Sequence, residues 1–128
     1  VTPVSMQPKR YMIGIYLGTQ TLENAERSDE LILQILAESQ YRLVNQLGKL
    51  SGRKIDKIAR LQKRKLLTTW KDFPVLKDAI ACIRLRKLAR WEAGDHVSFL
   101  FDVIDYCNQT EAKPLDLFTL KKKGIIRS

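Results

Sequence analysis

Histidine occurs once in this 128-residue chain and cysteine twice, and no apolar run approaches the roughly 20 residues that span a bilayer. Each scarcity excludes something. With one histidine, His96, and with Cys82 and Cys107 far apart in sequence, no zinc ligand set and no CxxC site can be assembled. No serine lies in a nucleophile elbow, and no glycine-rich loop is present to cradle a phosphate. His96 stands beside Asp95 at a predicted helix start and reads as a capping or surface residue. Asp102 and Asp105 fall three apart on the same predicted helix, where they read as a solvated strip and not an acid/base pair. The expectation is therefore a protein that is not an enzyme and carries no metal and no cofactor. The chain opens at Val1 without a signal-peptide pattern, which fits a cytosolic protein or a mature secreted one. The two cysteines read either as one disulfide of a secreted chain or as two small buried hydrophobes.

Positive charge is abundant and unevenly placed. Between Arg42 and Arg90 there are fifteen Lys/Arg and three acids, a net of +12 against +9 for the whole chain. The flanks are acidic: Glu23 to Tyr41 carries −4 and Glu92 to Phe118 carries −5. Such segregation steers an anionic partner, whether a membrane, a glycoprotein coat or a nucleic acid.

At 45% apolar, with periodic stretches, the chain is expected to fold as one domain, residues 1–128. Residues 1–20 read as an extended arm in which Ile13, Ile15 and Leu17 are candidates for an apolar surface. A helix is predicted from Ser28 as N-cap to about Leu47, closed by Gly48. The next, about Arg53 to Phe73, is the most regular. At 100° per residue Arg53, Lys57, Arg60, Arg64 and Lys71 lie within about 40° of one line, a cationic ridge about 27 Å long. A helix from about Val75 to Ala93 adds Arg84, Arg86, Lys87 and Arg90, and Gly94 closes it. The last long helix, Asp95 to about Cys107, is apolar on two sides. Val97, Leu100, Phe101, Ile104 and Cys107 face one way and Phe99, Val103 and Tyr106 nearly the other, so some of the second set is expected at the surface. With residues 119–128 as a basic tail, the predicted architecture is all-α, an up-down bundle of four to five helices.

The stretch from Arg42 to Phe118 resembles the abalone sperm acrosomal proteins, lysin and its fusagenic paralogue. The resemblance rests on Leu43-Val44, on Thr68-Thr69-Trp70 after Lys63-Arg64-Lys65, on Phe99-Leu100-Phe101-Asp102, and on Pro114. The presence of Cys82 and Cys107 and of aliphatic residues on exposed faces places the chain nearer the fusagenic paralogue. That resemblance implies a five-helix bundle secreted into the acrosomal vesicle and free of enzymatic activity. The function expected is promotion of sperm–egg membrane fusion by electrostatic docking of the ridge and apolar insertion. A lysin-like binder of an egg-coat glycoprotein and a helical nucleic-acid-binding protein are the alternatives, and a homodimer is considered.

Overall fold

The computed structural model describes residues 1–44, 47 and 57–125. The elements run β1 (Thr2–Met6), β2 (Lys9–Tyr16), α1 (Gln20–Arg27), β3 (Glu30–Ile35), a 3-10 turn (Glu38–Gln40), α2 (Lys57–Lys63), β4 (Leu67–Trp70), β5 (Phe73–Leu76), β6 (Ala81–Glu92), β7 (His96–Asn108) and α3 (Leu117–Lys122). Five strands form one sheet in the order β1-β2-β7-β6-β3, and β4 and β5 form a separate hairpin. The expected all-α bundle is thus corrected to a mostly antiparallel β fold with short helices. The chain divides into two compact units, Val1–Leu33 with Ile83–Tyr106, and Gln34–Cys82 with Cys107–Ser128.

In the first unit the governing period is 2. β2 pairs antiparallel with β7, Tyr11 opposite Phe101, Ile13 opposite Phe99 and Ile15 opposite Val97. Alternate residues of a strand share a face, so these six side chains form one apolar surface. Ile15, Val97, Phe99 and Phe101, with Leu85 of β6 and Ala25 of α1, make the buried core, and Leu22, Leu31, Leu33, Ile83 and Val103 pack against it. Phe99 and Phe101 are fully buried, with centroids 5.9 Å apart. Val97 and Phe101, which helical arithmetic places on one side, and Phe99 and Val103, which it places on the other, share one side of a strand, while Leu100, Ile104 and Tyr106 fall on its opposite side. β6 and β7 meet through Ala93-Gly94-Asp95, where the Ala93 amide donates to the His96 carbonyl at 2.9 Å and Gly94 has φ +93°. That is backbone only glycine adopts readily.

Helix α1 starts at Thr19, whose hydroxyl accepts from the Leu22 amide at 3.1 Å. Ser28, expected to begin a helix, is instead the residue at which α1 ends. Residues 30–35 form strand β3, so the expected helix does not run on from Ser28. Lys87 projects from β6 onto the last turn of α1 and donates to the Ala25 and Glu26 carbonyls at 2.9 and 3.2 Å. A cation there satisfies carbonyls with no intrahelical partner and complements the helix dipole.

The acids that look like flanks in sequence are sheet and helix neighbours of the cations. Arg84 pairs with Glu30 at 2.7 Å, Arg90 with Glu26 at 2.8 Å, and Asp102 takes Arg10 at 3.0 Å and Arg86 at 3.8 Å. These partly exposed pairs contribute about 0–1 kcal/mol each, but they neutralise the β6 portion of the expected cationic track.

In the second unit, α2 is only seven residues long, Lys57–Lys63. It stops at Lys65, which takes φ 58°. The Leu66 amide reaches back to the Leu61 carbonyl at 3.0 Å and the Lys65 amide to Gln62 at 2.9 Å, the two bonds of a Schellman C-terminus. Leu67–Trp70, rich in β-formers, then pairs with Phe73–Leu76 through a two-residue turn at Lys71 and Asp72. Both turn residues have positive φ, 50° and 68°, the primed geometry that suits a tight hairpin. The predicted helix from Arg53 to Phe73 therefore breaks in its middle, and the ridge does not exist as one line. Leu43, Leu61, Leu76 and Ala79 are the core of this unit. Asp116 caps α3 by accepting from the Thr119 amide at 2.7 Å, which holds its carboxyl below the usual carboxylate range. Lys123 lies 4.2 Å from the centre of the Tyr41 ring. Of the expected elements, Gly48, Arg53 and part of the basic tail (126–128) lie outside the described residues.

Candidate functional site

A cleft of about 380 Å³ opens in the first unit, within the roughly 300–1,000 Å³ typical of small-ligand sites. Its walls are Ile13 and Ile15 of β2, Leu31, Ile32 and Leu33 of β3, and Leu85 of β6; Gly14, Tyr16, Thr19 and Thr21 complete it. The surface is apolar because Leu31 and Leu33 share one face of β3 and because β2 presents its isoleucines. An apolar slot of this kind holds a flat hydrophobic ring through dispersion and water release.

Polar groups sit at its border in two places. The first is the backbone of β3, an edge strand of the sheet. The Asp29 carbonyl accepts from Lys87 and the Ile35 carbonyl from Ile80, each at 2.8 Å. Backbone groups alternate along a strand, so the odd residues face β6 while the N–H and C=O of Ile32 point to the open edge. The second is the start of α1. Thr19 already caps Leu22 and the Glu23 amide bonds the Thr19 carbonyl. The amides of Gln20 and Thr21, which have no intrahelical acceptor, and the Thr21 hydroxyl therefore remain to meet an anion.

His96 neighbours two residues that line this cleft, Gly14 and Tyr16. His96 Nδ1 is 2.9 Å from Asp95 Oδ1. Where the Asp95 carboxylate accepts from Nδ1, Nε2 is the nitrogen left to exchange a proton. His96 pairs across the sheet with Tyr16, whose ring it meets edge-on at 6.3 Å between centroids. A Cβ on Gly14 would lie 2.9 Å from His96 Cδ2. Glycine at 14 is what seats the imidazole against the strand that walls the cleft.

The predicted site residues separate. Ile13 and Ile15 are cleft walls, not an exposed arm, while Leu17 is exposed. Of the second apolar set, Phe99 is fully buried, Val103 is half-buried core and only Tyr106 is open to solvent. Arg60 lies on the exposed surface of α2, Arg64 is exposed in the turn that follows it, Lys57 is half-buried on the helix, and Lys71 is at the tip of the β4–β5 turn. Arg84, Arg86, Lys87 and Arg90 are on β6 in the ion pairs and helix contact described above; Arg53 is outside the described residues. Cys82 and Cys107 are free thiols. Among the described residues no group of three His, Cys, Asp or Glu is placed to hold a metal ion, and no helix is long and apolar enough to cross a membrane. Sequence reasoning missed Gly14, Tyr16, Thr19, Thr21, the β3 triplet and His96. The signal available for them was the alternation Tyr11, Ile13, Ile15 running up to a threonine cap.

Solved structures share this fold. An FMN-binding protein from Thermus thermophilus superposes with a TM-score of 0.73 at 24% identity, covering 84% of this chain and 58% of that one. The flavin reductase PheA2 gives 0.70 at 26% identity, covering 88% and 68%. A Streptomyces globisporus NADH:FAD oxidoreductase gives 0.71 at 18% identity, covering 84% and 63%. The chain spans less than two thirds of the length of the Thermus and Streptomyces proteins. No curated protein sequence matches it.

These findings overturn the resemblance to the abalone sperm proteins. With it fall the gamete-fusion reading and its egg-coat and nucleic-acid alternatives. They also overturn the expectation that the protein is not an enzyme. The flavin reductase like domain model matches residues 1–124, nearly the whole chain, and the chain belongs to that family.

Proposed function

We propose that the chain binds a flavin in the cleft of its first unit and acts as a flavin-dependent oxidoreductase supplied by a reduced nicotinamide. The apolar slot walled by β2, β3 and Leu85, in a chain of this family, is the observation that carries the reading. The residues suit the group. Ile13, Ile15, Leu31, Leu33 and Leu85 match an apolar ring system. The outward N–H and C=O of Ile32 match a ring edge with both acceptors and donors. The start of α1 matches a phosphate. A bound flavin supplies the two-electron chemistry, accepting hydride from one partner and passing reducing equivalents to another.

The protein's own residues bind, orient and exclude water. His96, held by Asp95 and seated on Gly14, keeps Nε2 available at the border of the cleft as the group that takes or gives the proton accompanying hydride transfer. The nicotinamide is proposed by likeness to the Streptomyces protein, an NADH:FAD oxidoreductase.

Titration of the chain with FMN, FAD and riboflavin, followed by flavin fluorescence, tests the reading. Saturable binding at one flavin per chain is expected; no saturation up to about 1 mM, a binding free energy weaker than about −4 kcal/mol, overturns it. For the histidine, His96→Gln is expected to lower kcat for NADH oxidation about a hundredfold and flatten its pH dependence, in line with the roughly 10²–10⁴-fold contribution of general acid–base groups. Flavin affinity should change less than about twofold, since His96 borders the slot without forming its wall. An unchanged kcat removes His96 from the chemistry and leaves the flavin site standing.

A further inference from the structure

We propose that Cys82 and Cys107 form a reversible thiol–disulfide pair, closing a covalent link across β6 and β7 when a peroxide oxidises the protein. The inference is independent of the flavin reading. β6 and β7 are adjacent in the sheet. At the open end of their hairpin the Gln109 amide donates to the Ile80 carbonyl at 2.8 Å. One step of two residues from that bond along both antiparallel strands brings Cys82 opposite Cys107. Opposed residues of antiparallel strands have Cα atoms about 4.5–5.5 Å apart, inside the roughly 4.4–6.8 Å that a disulfide bridges.

The register here is pinned by side chains as well. Gln109 Nε2 donates to the Leu76 and Ala79 carbonyls at 3.1 and 3.3 Å, and the Thr110 hydroxyl donates to Ala79 at 3.3 Å. Cys82 and Cys107 are free thiols, and the Cys82 thiol feels Cys107 as an ionisable neighbour.

Their surroundings assign different roles. Cys107 is half-buried and Cys82 has no exposed surface, so a peroxide meets Cys107. Burial, with the neighbouring Cys107 next in effect, pushes the Cys82 thiol up to about 11, so it stays protonated and is not the first nucleophile. The Cys107 thiolate attacks one peroxide oxygen, the O–O bond breaks, hydroxide leaves, and Cys107 becomes a sulfenic acid. The Cys82 sulfur then attacks the Cys107 sulfur, the S–O bond breaks, and the Cys82 proton leaves with the hydroxyl as water. Two thiols and one hydrogen peroxide give one disulfide and two waters, with both sulfurs oxidised and the peroxide reduced.

The test uses the full chain, reduced, exposed to one equivalent of hydrogen peroxide, then denatured and alkylated. The expected result is loss of both alkylatable thiols, a Cys82–Cys107 cross-linked peptide within a monomer, and return of both thiols with dithiothreitol. Cys82→Ser should instead leave Cys107 as a sulfenic acid that dimedone labels several-fold more than in the unsubstituted chain. The proposal is overturned if Cys82 remains alkylatable after Cys107 is oxidised, or if linkage forms only between two chains.

Discussion

Replacing Phe99 by alanine should destabilise the protein by about 3–5 kcal/mol, the cost of removing a buried aromatic ring from a packed core. Phe99 is wholly inaccessible, stacks against Phe101 at 5.9 Å and sits opposite Ile13 across the β2–β7 pair. Its ring also lies 5.9 Å beneath the Lys87 ammonium, which holds the end of α1. Truncation therefore leaves a void and removes the floor on which the helix rests. Tyr106, which is 66% exposed, should tolerate alanine within about 0.5 kcal/mol. Urea unfolding of the two variants checks both. Equal effects would contradict the assignment of Phe99 and Tyr106 to different environments.

The same pair of residues shows why the fold was only partly legible. Between Val97 and Tyr106 only Ser98, Asp102 and Asp105 interrupt the apolar residues. A step of 100° sorts such a run into two plausible helix faces, and a step of 180° sorts it into two strand faces. The two-sided helix was the sign of conflict: Val97, Phe99, Phe101 and Val103 satisfy period 2 on one face of the strand and pack in one core. Charge misled in a similar way. Lys57 and Arg60 are helical, but the run continues past the end of α2 and across Lys65, where a lysine takes the left-handed position that glycine usually marks. Without glycine there, nothing in the sequence announces the stop. The break at Gly94 was legible as a boundary because glycine does mark it, although the elements it separates are strands. The site was the least legible part. A single histidine has no chemical context in sequence, and Gly14, Tyr16 and Asp95 acquire relevance only once β2 and β7 are paired.

Filling the cleft without touching the core separates the site from the fold. Thr21 lines the cleft, is exposed, and lies in the first turn of α1. Threonine and tryptophan have similar helix propensities, so Thr21→Trp should shift the thermal midpoint by no more than about 2 °C. The indole would occupy the slot between β2 and β3 and bring its bulk over the amides proposed to meet the phosphate. Flavin affinity should fall about a hundredfold, or about 2.7 kcal/mol. Thr68→Trp, on the β4 strand of the second unit, adds the same side chain at an exposed position that does not line the cleft and should leave binding unchanged. Loss of binding in both variants would indicate a general effect of the added ring. Retention in both would place the flavin elsewhere on the chain. Only loss in Thr21→Trp alone fits a ligand held between Ile13, Leu31 and Leu33, in the cleft that the sheet edge and the helix start share.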